Sequence, residues 1–339
     1  MVKKHLFNEL LNKVLLERKN SFTTLATYDW EKKISKKALM YFEDQYIEDV
    51  GCDELYAFFN TVRFKDNGEL LSDKYLKAIR MLLKALYKKA VFLGYVRLNP
   101  FDYDFKMPKG NIPEATDRII SDTDIKKLLS VIPTNDRFNF IIPILLLTGL
   151  RIGELLGLYW SDVDFQNNIL YIKRATTRKY IEKDGEIIKL GDTIGKTKTQ
   201  CSVRELPVSQ LVMDLLIEWK QYINSIPNLT EKIIYNKTEN LVFVNYRGNI
   251  INYNTLYKDL QEFLMKNGLQ HCGILFHKLR HCYATNMVDC GVDINIISKL
   301  LGHRNITTTA NTYIKVNLEP KKKAVKLHEN YMSDLLKAN

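Results

Sequence analysis

The chain has 339 residues, 46% of them hydrophobic and 26% charged, a globular balance that excludes intrinsic disorder. No apolar run reaches the roughly 20 residues that span a bilayer, and the basic N-terminus MVKKHLFNELLNK leads into no apolar core or small-residue cleavage site, so neither a membrane span nor a secretory signal is expected. The formal net charge of +11 is concentrated C-terminally, with 20 Lys and Arg against 17 Asp and Glu over residues 1–117 and 30 against 22 over residues 118–339; such an excess suits a polyanionic partner, nucleic acid before a membrane surface.

Residues 1–105 read as mostly helical. FNELLNKVLLERK repeats apolar residues at helical spacing, and Thr24 or Thr27 can cap a second helix running through YDWEKKISKKALMYFEDQYI. After the turn-like KDNGE, Ser72 caps LSDKYLKAIRMLLKALYKKAVFLGYV, whose core stripe is Leu76, Ile79, Leu83, Leu86 and Ala90. Lys77, Arg80, Lys84 and Lys88 recur on one face of that helix. Such a face is either simply solvated or laid against a DNA groove, where each cation neutralises a phosphate.

NPFDYDFKMPKGNIPEATD, with three prolines, reads as an extended connection. It divides a helical domain (1–108, with 109–117 as linker) from an α+β domain (118–339). In the latter, SDTDIKKLLSVI opens a helix with Ser121 and Asp124 at capping-box spacing. FNFIIPILLLTGLRIGELLGL is an apolar helix, a TG break and a second helix. The period then changes: ILYI and EIIKL read as short strands, Asp184-Gly185 as a hairpin turn, and VRELPV as the strand closing one small antiparallel sheet. Helical character returns at QLVMDLLIEWKQYI and persists to the C-terminus, interrupted by a short strand and turn in LVFVNYRGNII. In the tail, Ala324, Val325, Leu327, Met332 and Leu335 outline a last helix over about 318–337, packed on its own domain or on a neighbouring subunit.

Four segments of the second domain carry ionisable residues that ask for a reason. Arg151 follows the TGL break beside an apolar helix, where a charge is costly unless paired, and Glu154 is three residues on, on the same helical face. KTKT offers Lys196 and Lys198 just before VRELPV, and the distance to that strand favours Lys198. HKLRH places His277 and Arg280 at i, i+3 and His281 at i+4; His303 follows a Leu-Gly turn and precedes Tyr313. A zinc reading of His277 and His281 is disfavoured, because Lys278 stands where a metalloprotease helix has its glutamate base. The five cysteines (Cys52, Cys201, Cys272, Cys282, Cys290) form no CxxC pair, which fits a reducing compartment better than a disulfide framework. No metal or cofactor is expected. Two Arg, a Lys, two His and a Tyr are instead the groups that phosphodiester cleavage without metal requires. Arg forks grip the non-bridging oxygens, Lys or His moves protons, and Tyr is a nucleophile whose aryloxide leaves readily enough to keep the step reversible.

TGLRIGELLGLYWSDVDF, KTKTQCSVRELPV and FHKLRHCYATNMVDCGVDINIISKLLGHRNITTTANTYIKV resemble the motifs of the tyrosine recombinase, or phage-type integrase, family in order and spacing, and HLFNELLNKVLLERK through NPFDYDFKMP resembles its helical core-binding domain. The resemblance implies a mainly α fold: a helical core-binding domain and an α+β catalytic domain, forming a C-shaped clamp on DNA. Carried over residue by residue, it makes Arg151 and Arg280 the phosphate clamp and Lys198 the general acid. His277 and His303 become phosphate contacts assisting proton transfer, Tyr313 the nucleophile and Glu154 the residue orienting Arg151, while His281 supports the helix. Cys282 stands where the family often has a small hydroxyl residue.

The implied reaction is site-specific recombination of double-stranded DNA through a 3′-phosphotyrosyl link and a Holliday junction, for integration or excision of a mobile element. The implied assembly is a homo-tetramer on DNA, monomeric or weakly associated when free. Accessory excision or DNA-bending proteins would assist it in the bacterial cytoplasm, at the nucleoid. The alternatives are a topoisomerase-like or telomere-resolving enzyme of the same chemistry, or a catalytically idle DNA-binding regulator. TTRKYIEKDGEIIKLGDTIGK resembles the hairpin insertion of conjugative-transposon integrases, and the stretch ahead of HLFNELL leaves no room for the arm-binding domain that many mobile-element integrases carry.

Overall fold

The computed structural model describes residues 4–21, 24–103, 105–112, 120–196, 202–303 and 329. The chain divides into two compact units, one of residues 1–113 with 180–190 and one of residues 114–179 with 191–339. The first is built on four helices, α1 (Phe7–Ser21), α2 (Leu25–Tyr41), α3 (Cys52–Val62) and α4 (Asp73–Phe92). Thr24 and Ser72 cap α2 and α4, their hydroxyls accepting from the backbone N–H three residues on, which satisfies one of the orphan donors of each helix start. The α4 stripe Leu76, Ile79, Leu83, Leu86 and Ala90 is completely buried, together with Phe7 and Leu11 of α1 and Phe58 and Phe59 of α3.

Helix α2 stops at Tyr41, short of the Ile47 that its apolar pattern suggested. Glu43 and Asp44 would sit at the negative end of the helix dipole. The backbone beyond also finds other partners: Phe7 N–H donates to the Gln45 carbonyl and Ile47 N–H to that of His5, around a Leu6–Tyr46 bridge.

The second unit begins with α5 (Asp122–Val131), α6 (Phe138–Thr148) and α7 (Ile152–Leu156). Ser121 caps α5 as expected, accepting from Asp124 N–H. Then come β1 (Val163–Asp164), β2 (Ile169–Ile172), β3 (Arg174–Lys183), β4 (Glu186–Lys196) and β5 (Arg204–Pro207), the hairpin residues 180–190 of β3 and β4 being counted with the first unit. These make two sheets rather than the single one expected. β1, β2 and β5 form a three-stranded antiparallel sheet, and β3 and β4 a separate two-stranded hairpin. The hairpin turns at Asp184 and Gly185, with φ of 53° and 77°, the doubly left-handed turn whose twist suits a two-residue loop.

Helices α8 (Gln210–Ser225), α9 (Leu229–Tyr235), α10 (Tyr253–Lys266), α11 (Phe276–Asp289) and α12 (Ile294–Leu301) complete the described part. LVFVNYRGNII forms only isolated bridges, Tyr159–Leu241 and Val244–Ile250, because a tight turn over residues 245–249 leaves no room for a longer ladder. The main core gathers α6, α8, α10 and α11 around Trp219, Phe243 and Phe276, and Ala284, Ile297 and Leu301 form a smaller one between α11 and α12. Among the described residues no helix is long and apolar enough to cross a membrane.

Candidate active site

Two polypeptide turns meet at the site, and buried arginine side chains tie them together. The first follows α6, where Gly149 adopts φ 62° and its N–H donates to the Leu145 carbonyl. A Cβ there would lie 2.4 Å from the Tyr283 ring and 2.9 Å from Leu301, so both the left-handed backbone and the close packing demand glycine. This turn sets Arg151 immediately before α7, as its N-cap. Glu154, at the third position of that short helix, closes back on it: its Oε2 accepts from Arg151 N–H at 3.1 Å and its Oε1 from Arg151 Nη1 at 2.7 Å. The expected pairing of Glu154 with Arg151 is thus present. Arg151 keeps 40% of its side chain exposed while Glu154 keeps 3%, so the cation faces outward from a buried anion.

Glu154 has a second partner. Arg204, the first residue of β5, donates Nη2 to Oε2 at 2.9 Å and Nη1 to Oε1 at 3.3 Å. With four donors the carboxylate has its acceptor capacity filled. Burial drives its pKa up, but the Arg204 hydrogen bonds and the charges of Arg204, Arg151 and Arg280 outweigh this and hold it below the ordinary carboxylate value. Sequence reasoning missed Arg204. A signal existed: in β5 the two-residue period puts Arg204 on the same face as Leu206, which is completely buried, and an inward-facing charge calls for a partner.

Arg280 lies on α11, which packs along α6, and is only 2% exposed. Its Nη1 donates to the Gly149 carbonyl at 2.8 Å and its Nη2 to the Leu301 carbonyl at 2.6 Å. It therefore joins the turn that carries Arg151 to the end of the helix that carries His303. Arg204 makes a parallel tie, with Nε donating to the Leu300 carbonyl at 2.6 Å. The last carbonyls of α12 are thus all used: Ser298 and Lys299 accept from Gly302 and His303 N–H groups, and Leu300 and Leu301 accept from guanidinium groups, where the helix dipole also favours cations. Gly302, at φ 64°, ends α12 and delivers His303.

The histidines sit in this positive field. Burial first, then the Arg280, Arg151, His281 and Arg204 charges, push His303 down to about 4. Burial first, then Arg280 and Arg151, also lower His277. His303 therefore carries no charge at pH 7. His277 and His281 stack edge to face at 4.5 Å between ring centroids.

The structure thus brings Arg151, Glu154, His277, Arg280 and His303 into one electrostatic neighbourhood. Lys198, Tyr313 and all of the expected tail helix but Glu329 lie outside the described residues, as does the side chain of Lys196, whose backbone ends β4. Lys77, Arg80, Lys84 and Lys88 are on α4 of the first unit. Three of the four are exposed and Arg80 is half-buried at the edge of their face, with its Nε unpartnered. Among the described residues no three His, Cys, Asp or Glu side chains gather as a metal-binding group.

Comparison with known proteins agrees with this architecture. Residues 118–319 match the model of the phage integrase family. The chain is 33% identical over 260 residues to a tyrosine recombinase XerC-like protein of Caldanaerobacter subterraneus subsp. tengcongensis, a match covering 75% of this chain and 65% of that protein. It is 26% identical over 318 residues to tyrosine recombinase XerA of Pyrococcus horikoshii, covering 94% of each. It is 28% identical over 263 residues to the transposase from transposon Tn916 of Enterococcus faecalis, covering 74% of this chain and 60% of that one. Among solved structures, the Tn1549 transposon integrase in complex with a circular intermediate DNA superposes with a TM-score of 0.72 at 22% identity, over 95% of this chain and 99% of that one. A lambda integrase dimer bound to a core site gives 0.60 at 17%, over 90% and 76%. With the family model matched over more than half of its length, the chain belongs to the phage integrase family, the tyrosine recombinases.

Proposed function

We propose that the protein cuts and rejoins double-stranded DNA at specific sites with Tyr313 as nucleophile. The observation that carries this reading is the outward-facing Arg151, held by a saturated buried carboxylate. In the reaction the Tyr313 oxygen attacks the scissile phosphorus, forming the 3′-phosphotyrosyl bond as the bond to the 5′ oxygen breaks. Arg151 and Arg280 neutralise the charge that builds on the non-bridging oxygens. A neutral His277 or His303 accepts the tyrosine proton, and Lys198, preferred over Lys196, supplies one to the departing 5′ oxygen. Bond energy is kept in the covalent link, and reversal with a partner strand gives recombination through a Holliday junction.

Four copies assembled on two DNA sites would carry out that exchange. Service to a mobile element is supported by the resemblance to the Tn916 transposase and to the Tn1549 integrase bound to circular intermediate DNA. On α4, Lys77, Lys84 and Lys88, with Arg80 at their edge, would hold DNA phosphates.

Trapping on a nicked suicide duplex tests the reading. The natural protein should form a DNA-linked band and Tyr313→Phe none; the same adduct from the variant would remove Tyr313 from the role. A two-site assay then separates recombination from simple relaxation or hairpin formation, because only recombination joins partner sites.

A further inference from the structure

We infer that Arg204 is a positioning residue for the cleavage step: by sharing Glu154 with Arg151 and holding the Leu300 carbonyl, it sets the Arg151 fork and the end of α12 in register. The inference rests on the proposed role of Arg151 and His303 at the phosphate. Four hydrogen bonds of a buried guanidinium carry it. The guanidinium is 7% exposed against a carboxylate 3% exposed, so their geometry is not averaged by solvent. Both Glu154 oxygens serve both arginines, Oε1 accepting from Arg151 Nη1 and Arg204 Nη1 and Oε2 from Arg151 N–H and Arg204 Nη2. A carboxylate held from one side by Arg204 presents only one orientation to Arg151 on the other.

The remaining donors complete the fork, with Nε on the Leu300 carbonyl at 2.6 Å and Nη1 also on the Ser202 carbonyl at 3.1 Å. Leu300 lies three residues before His303, so the same side chain that orients the Arg151 partner fixes the approach to His303. Arg280 ties the same helix end to the Gly149 carbonyl, which sets the distance between the two turns. Arg204 instead sets the direction in which Arg151 points. Lysine cannot reproduce this, because a point charge grips one oxygen where the planar fork spans two carboxylate oxygens and two carbonyls.

The test uses Arg204→Lys and Arg204→Met in the full chain, each alone and combined with Glu154→Gln. Single-turnover cleavage of a suicide duplex at saturating DNA is read beside DNA affinity and the melting temperature. Arg204→Met should cut about tenfold or more slowly with affinity changed less than about twofold, since many other phosphate contacts supply binding. Arg204→Lys should recover part of the rate. In the Glu154→Gln background the further loss on removing Arg204 should shrink to about threefold or less, because the two act through one contact. The natural rate in Arg204→Lys and Arg204→Met, or the same fold loss with and without Glu154, would overturn the proposal. Should Arg204→Met fail to fold, Arg204→Lys with a natural melting temperature decides alone: a slowed cut supports the role, an unchanged one overturns it. Failure of the natural protein to form any adduct would instead count against the proposed chemistry.

Discussion

Two groups of cations in this molecule have opposite physical lives. Arg280 and Arg204 are buried, and every partner described for them is an oxygen at a fixed place: the carbonyls of Gly149, Ser202, Leu300 and Leu301 and both oxygens of Glu154. Lys77, Lys84 and Lys88 project from α4 into solvent, Lys77 pairing with Asp73 and Lys84 with Asp102 while half or more exposed. A buried charge acts through a low dielectric and must be held in one geometry, so its loss disturbs shape as well as field. An exposed lysine is screened by solvent and salt, and in the proposed role it would supply one more exchangeable phosphate contact. The difference teaches that a cation's charge alone does not set its role: burial and fixed acceptors hold the arginines of the second unit in one orientation, whereas the proposed phosphate contacts of the α4 lysines would add affinity.

The contrast breaks most visibly at Arg280. Arg280→Ala should lower single-turnover cleavage by about 10²–10³-fold while DNA affinity is largely retained. It should also cost about 2–4 kcal/mol in urea unfolding, because two buried carbonyls lose their donors. Normal cleavage would remove Arg280 from the clamp. Gly149→Ala comes next, at about 1–3 kcal/mol, from the left-handed backbone and the contact with Tyr283. Its cleavage rate should fall too, since the same turn carries Arg151.

A smaller effect appears with pH. Unfolded His303 takes up its proton near 6.5, whereas in the folded protein it waits until about 4. Between those values the unfolded state binds more protons, so stability falls as pH drops from 6.5 toward 4. Glu154, with its lowered carboxyl, adds a separate loss only below the ordinary carboxylate value of 4.5. Thermal melts should show a shallower decline across the upper window for His303→Asn. Smallest are the single changes Lys77→Gln, Lys84→Gln and Lys88→Gln. Each should reduce the salt dependence of DNA binding by about one counterion and shift stability by no more than about 0.5 kcal/mol. A cleavage defect at saturating DNA in any of them would give the α4 lysines a role beyond affinity.

Legibility in the sequence followed the range of the interactions. The caps at Ser72 and Ser121, the α4 stripe and the Asp184-Gly185 turn depend on neighbours within a few residues and were readable from spacing. For α2, spacing left Thr24 and Thr27 open, and the structure selects Thr24. The pairing of Glu154 with Arg151, three positions apart, was readable too, although Arg151 stands at the N-cap rather than within the helix. The early end of α2 was not, because its cause is a bridge to residues 5–7. Neither was the division into two sheets: ILYI and VRELPV pair across an intervening hairpin whose two strands pair only with each other. Arg204 was read as part of a strand and no more, for its partners are 50 and 96 residues away.

By itself, then, the sequence determined which local elements form and which residue types are available for the chemistry, since capping, periodicity and turn conformation are decided by adjacent residues. Tertiary structure decided which cations face inward and what holds them: it brought the carbonyls of Gly149, Leu300 and Leu301 to two guanidinium groups and placed His303 in their field. Burial and the directions of donors and acceptors arise only when distant segments pack, and they turn a set of basic residues into an oriented site.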